Sequence, residues 1–187
     1  MASSKSMKMS LLVLCLKSSR SKTEEIEPGV FVLGGLQKIS NNQEQSIGKS
    51  ELRALRREVP TWGKMWSFKR CQVNGVVYHS KVYKRVTARN NFTVSFTTDK
   101  QTGFGSILRY VKVEEKCHQA QCIDMRCNCH LECSFFALLK ILIVHQDQLP
   151  KLREKAVVRH IIRVEETSKI VAVPLQCIKE KCLLVSI

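Results

Sequence analysis

Proline and glycine are scarce in this chain, four and eight of 187 residues, which excludes a collagen-like or low-complexity composition. A 44% hydrophobic content also excludes a wholly disordered chain, because it suffices to build a core. No apolar run approaches the roughly 20 residues of a membrane span; the longest, residues 135–144, contains Lys140. The apolar run after Lys5 and Lys8, residues 11–16, is shorter than the about 7 to 15 residues of a signal-peptide core. Secretion is therefore not expected.

Spaced carboxylates are missing as well. Asp99, Asp124 and Asp147 stand apart and Glu165-Glu166 sit in a polar stretch, so no two-metal nuclease centre is visible. Gly103-Phe104-Gly105 is not followed by the helix that a phosphate loop needs and reads as a tight turn at the start of a strand. Cys129 and His130 are sequence neighbours and would face opposite ways on a strand, which gives no thiolate–base pair. An enzyme is not expected.

What the chain has in excess is positive charge: 31 Lys+Arg against 16 Asp+Glu, a net of +15. Residues 1–60 hold ten basic and six acidic side chains, which leaves +11 for the remainder. Between Glu58 and Asp99 there is no acid at all. That window holds Lys64, Lys69, Arg70, Lys81, Lys84, Arg85 and Arg89, interleaved with Trp62, Trp66, Phe68, Tyr78, Tyr83 and Phe92. Cations beside aromatic faces suit phosphate neutralisation with base stacking. The plain alternative is that the charges are solvated outer faces of strands whose aromatic residues form the core. The candidate nucleic-acid contacts are Lys69, Arg70, Lys81, Lys84, Arg85 and Arg89; His79, in the same window, reads as a structural histidine.

Five of nine cysteines lie in Cys117-His118-x3-Cys122-x4-Cys127-x-Cys129-His130-x2-Cys133. Cys122, Cys127, Cys129 and Cys133 are of the ligand type for tetrahedral zinc. Their spacing is not the two close pairs set a dozen or more residues apart that structural zinc sites use. The segment therefore reads as an irregular loop with incidental cysteines; no cofactor is expected, and zinc stands as the alternative.

Residues 1–47 read as a low-order lead in which Val30-Phe31-Val32-Leu33 would add an edge strand. Residues 48–60 read as a short amphipathic helix, with Leu52, Leu55 and Val59 at helical spacing, Ser50 as N-cap and Pro60 as stop. From 61 to 187 the pattern is β-rich. Asn74-Gly75 between two β-rich runs predicts a hairpin, since both turn residues must accept positive φ. A second hairpin is expected around residues 98–103, a buried strand or helix at 135–144, separate strands at 160–164 and 170–173 around a polar turn, and a last strand at 182–185. The fold class is mainly β, a small curled sheet or partly open barrel with one short N-terminal helix.

The run Val73-Asn74-Gly75-Val76-Val77-Tyr78-His79-Ser80-Lys81-Val82-Tyr83-Lys84-Arg85-Val86, with Arg89-Asn90 and Thr93-Val94, resembles a C-terminal domain of proteins derived from CACTA-type (En/Spm-like) DNA transposons. Phe104-Gly105-Ser106-Ile107 and Val173-Pro174-Leu175-x2-Ile178-x3-Cys182 are similar to later elements of that domain. The resemblance covers about residues 65–187 and implies a C-terminal piece or remnant that carries no catalytic residue. Together these readings point to a non-enzymatic basic module that binds nucleic acid through its phosphates. A protein–protein module docking through the sheet face or residues 183–185, and a zinc-stabilised domain, are the alternatives.

Overall fold

The computed structural model describes residues 23–39, 47–84, 92–98, 101–115, 133–145, 151–152, 156–157 and 164–182. In chain order these form β1 (Thr23–Glu27), β2 (Val30–Leu33), β3 (Gln37–Ile39), helix α1 (Lys49–Glu58), β4 (Trp62–Phe68), β5 (Arg70–Val73), β6 (Val76–His79), β7 (Thr93–Thr98) and β8 (Gln101–Glu115). There follow β9 (Cys133–Val144), β10 (Lys151–Leu152), β11 (Ala156–Val157), β12 (Val164–Pro174), a 3₁₀ turn (Leu175–Cys177) and β13 (Ile178–Lys181). The fold is mainly β, as the succession of short alternating runs predicts. One sheet has four strands in the order β1-β2-β5-β6; the other has seven, β12-β9-β8-β4-β3, with β7 paired between β8 and β13. Neither closes into a barrel, and β10 and β11 pair separately. Among the described residues no helix is long and apolar enough to cross a membrane.

The unbroken apolar run at 135–144 has a simple cause. It is a strand, β9, with both faces buried. Ala137 and Leu139 pack into a core between the two sheets, with Phe68, Cys71, Tyr78 and Tyr110. Phe136 and Leu138 pack on the opposite face, with Leu55, Val59 and Val111 under α1. A strand covered on both sides reads as continuous rather than alternating hydrophobicity. In the inter-sheet core Phe68 stacks on Tyr110 at 5.1 Å between centroids, and the Tyr78 hydroxyl donates to the Lys179 carbonyl at 3.0 Å. Burial pushes the Cys71 thiol up to about 12, so it behaves as a small core hydrophobe.

The Asn74-Gly75 turn forms as expected, with φ of 49° and 82°, and sets Val73 opposite Val76 in the β5–β6 hairpin. The second hairpin joins β7 to β8 with Thr98 opposite Gln101. The helix is capped by Gly48 rather than Ser50. Ser50 is already helical, and the Glu51 carboxylate reaches back to accept the Gly48 N–H at 2.7 Å. At the other end the Val59 N–H donates to the Leu55 carbonyl at 2.9 Å, just before Pro60.

Three expectations are corrected. Residues 23–39 are not part of a low-order lead: they form three strands, and β2 lies inside its sheet between β1 and β5 instead of at an edge. Residues 164–174 form one strand, because the polar stretch is absorbed as a bulge between Glu166 and Ile170; the Thr167 hydroxyl donates to the Ile141 carbonyl at 2.9 Å and accepts the Lys169 N–H at 3.1 Å. Of the strand expected at 182–185, residues 183–185 lie outside the described residues, and β13 is the last strand described. Gly103 and Gly105 make no turn; they sit within β8 where neighbours come close. A Cβ on Gly105 would lie 3.1 Å from Leu139 Cβ and 3.2 Å from the Lys140 carbonyl oxygen.

Because one of those neighbours is backbone, Gly105→Ala forces β8 and β9 apart. The substitution is expected to lower unfolding stability by about 1–3 kcal/mol, the usual range for overpacking, read as a reduced urea midpoint at constant slope. An unchanged midpoint would show that the strands separate without cost.

Candidate nucleic-acid interface

Strands β2 and β3 run antiparallel to β5 and β4 as one bent ribbon, and the ribbon changes sheets midway. Leu33 is opposite Arg70 and Gln37 opposite Ser67, so three residues, 34–36, face two, 68–69. The extra residue is accommodated by Gly34 at φ 97°, in the left-handed region that glycine alone enters freely. At the same level β8 changes partners: its first part pairs with β7 up to Thr93–Ser106, its second with β4 from Phe68–Tyr110. The segment after β6 fills the gap. Ser80 donates from both backbone N–H and hydroxyl to the Lys69 carbonyl, each at 3.0 Å. The Lys81 N–H donates to the Ile107 carbonyl at 2.8 Å, and the Tyr83 N–H turns back on the Ser80 carbonyl at 2.9 Å.

These bonds set Val82, Tyr83 and Lys84 alongside the bend and enclose a half-open cleft of about 630 Å³. A bay of about 290 Å³ adjoins it and shares Gln37, Ser67, Phe68, Lys69 and Val82. The main cleft carries Lys69, Arg70 and Lys84, and the bay adds Lys38 and Arg109. Among the described residues no carboxylate lines either cavity. Arg109 is compensated from outside the bay, its Nε donating to the Glu51 carboxylate at 3.0 Å. Among the described residues no carboxylate pairs with Lys38, Lys69, Arg70 or Lys84.

The structure thus brings together three of the six residues named from sequence, Lys69, Arg70 and Lys84. Lys81 does not line the cleft: its ammonium pairs with Glu166 and lies 5.3 Å from the Phe92 ring. Glu166 is held below its usual carboxylate range by hydrogen bonds from Lys140 and Lys81. Lys64 pairs with Glu114 at 3.2 Å. Arg85 and Arg89 lie outside the described residues. Sequence reasoning missed Lys38 and Arg109; the Gly-Gly pair at 34–35, read as part of the lead, was the available pointer to the bend that gathers them.

The interleaved aromatic residues play a different part from the expected stacking. Phe68 and Tyr78 are core residues. Trp62 lies under Arg56, Trp66 under Lys112 and Tyr83 under Arg70, at 5.8, 5.7 and 5.1 Å from the ring centroids. The chain's own cations therefore engage these rings.

Of the zinc candidates, Cys133 is half-buried at the start of β9, while Cys122, Cys127 and Cys129 lie outside the described residues. Among the described residues no three His, Cys, Asp or Glu side chains converge. Comparison with family models, curated proteins and solved structures finds no match to the chain.

His79 lies beside this cleft, opposite Arg70 across the β5–β6 ladder and 4.8 Å from the Tyr83 ring. Its pKa is lowered by burial and then by the charges of Arg70 and Lys181. A histidine depressed in the fold favours the folded state fully above its ordinary value of about 6.5. That contribution is lost as pH falls from there through the folded-state pKa, because the unfolded chain binds the proton more readily. Arg70→Gln is expected to raise the His79 pKa toward the ordinary value in an NMR titration. A pKa unmoved by the substitution would mean that burial and Lys181 alone depress it.

Proposed function

We propose that this chain is a non-enzymatic basic β-module that binds nucleic acid through phosphate contacts in the cleft where its two sheets meet. One observation carries the reading: Lys38, Lys69, Arg70 and Lys84 converge on a concave surface with no lining carboxylate among the described residues, whereas Lys64, Lys81, Lys112 and Lys140 are each paired with an acid. Cations left without a carboxylate partner in a concave site focus the field outward and attract a polyanion. Phosphate contacts position a nucleic acid without reading its sequence, which suits a cleft whose tyrosine is already engaged by Arg70. The resemblance to transposon-derived C-terminal domains supports the same assignment, and a nuclear or cytoplasmic site of action follows from it.

Binding of the full chain to a mixed-sequence oligonucleotide, measured by fluorescence anisotropy across a salt series, tests this. The combined Lys69→Gln, Arg70→Gln and Lys84→Gln variant is expected to weaken binding and to flatten the slope of log K against log salt by about two to three units, close to one for each phosphate that the variant no longer neutralises. Lys81→Gln, which removes a lysine already paired with Glu166, is expected to change the slope far less. Equal slopes for wild type and the triple variant, or equal affinity for a polyglutamate of the same length, would reject phosphate recognition and favour an acidic protein as partner.

A further inference from the structure

We infer that the nucleic acid held by the cleft is a single strand, whose phosphates run from Arg70 and Lys84 past Lys69 to Lys38 and whose bases go unread. The inference rests on the proposed nucleic-acid role and adds the form of the ligand. Shape is the first argument. The cleft is about 630 Å³ and its bay about 290 Å³, dimensions of a small-ligand pocket. A duplex presents its phosphates on the outside of a stiff rod with a persistence length of about 50 nm. It would meet exposed Lys69 and Lys84 at the rim without reaching half-buried Arg70. The cations also follow a corner, since Lys38 belongs to one sheet and Arg70 to the other. A flexible strand turns such a corner.

The glycine lining of the cleft is the second argument. Gly34 and Gly35 line it, and a Cβ on Gly35 would have no atom of the described residues within 4 Å. The bare backbone leaves room for a sugar-phosphate chain to approach closely. Base indifference comes from Tyr83, the cleft's exposed-side aromatic residue. Its ring is engaged by the Arg70 guanidinium at 5.1 Å and by the His79 ring at 4.8 Å, so it does not serve as the open stacking platform on which single-strand binders hold bases.

Gly35 supplies a test that leaves the fold intact, because its φ is ordinary and the space beside it is open. Full-length wild type, Gly35→Glu and Gly35→Gln would be titrated by anisotropy against labelled oligothymidine, oligocytidine and a mixed-sequence duplex of about twelve nucleotides at one ionic strength, after their melting temperatures are shown to agree. Wild type is expected to bind both single strands within about threefold of each other, as a phosphate reader does, and at least about tenfold more tightly than the duplex. Gly35→Glu is expected to lose at least about tenfold in single-strand affinity by placing a like charge among the phosphates, with Gly35→Gln much closer to wild type. Three results overturn the inference: duplex bound as tightly as single strand, a strong preference between the two pyrimidine strands, or no effect of Gly35→Glu. If the duplex binds tightly and the triple cation variant releases it, the nucleic-acid role stands and the single-strand form falls. If no oligonucleotide binds, both fall.

Discussion

The ladder between β8 and β9 is the constraint on which the rest depends. It runs from Phe104–Leu142 to Glu114–Cys133, and it is buried on both sides, by the four-stranded sheet on one and by α1 on the other. Every other element is placed relative to it. β12 extends it along the outer edge of β9, β7 and β4 share the outer edge of β8, and the four-stranded sheet hangs from β4 through the corner at Lys69. A 15-residue strand is too long for one short neighbour to cover, so β8 takes two in succession. The cleft is a by-product of that handover. Where β7 stops and β4 leaves for the other sheet, no regular strand pairs with the middle of β8 on the edge away from β9, and residues 80–84 fill the space only in part.

Charge is divided on the same plan. Away from the cleft several cations have acids across the ladder or nearby, Lys64 with Glu114, Lys112 with Glu24, and Lys140 and Lys81 with Glu166. Exposed pairs of this kind are worth about 0–1 kcal/mol each, so they govern the field around the protein more than its stability. At the corner no acid among the described residues faces the cations. Arg109 is the exception that marks the boundary: it lies at the bay but its charge is spent on Glu51, the same carboxylate that caps α1. One side chain thus closes the helix end and fixes the helix to the sheet.

Local patterns were legible in the sequence where a local rule decides the outcome. Asn74-Gly75 specifies its own turn, Leu52, Leu55 and Val59 their helix, and the double apolar face of residues 135–144 a segment covered on both sides. What failed to read was decided by partners far along the chain. Val30 to Leu33 reads as an edge strand, and becomes an inner one only because Thr23 to Glu27 and Arg70 to Val73 lie against it on either side. Glu165, Glu166 and Thr167 look like a turn until Ile141 is seen to accept the threonine hydroxyl. The helix cap went to Gly48, not Ser50, because Glu51 can reach the glycine N–H from within the first turn. In the cleft, Lys69, Arg70 and Lys84 were visible as a basic run without acids, but Lys38 and Arg109 join them only through the bend at Gly34 and the handover on β8. Lys81 belongs by sequence to the run and by structure to Glu166.

The burial of Cys71 beneath both sheets turns the integrity of the core into a chemical record. Its thiol is fully enclosed and strongly resists ionisation, and only a thiolate attacks an alkylating reagent at an appreciable rate. Half-buried Cys177 and Cys182 lie at the seam where β13 joins β7, whereas Cys71 lies on β5 where the two sheets face each other. Labelling at the first two reports the closing strand; labelling at Cys71 requires the sheets themselves to part. The order in which these thiols are modified therefore ranks the openings of the fold from its margin to its centre.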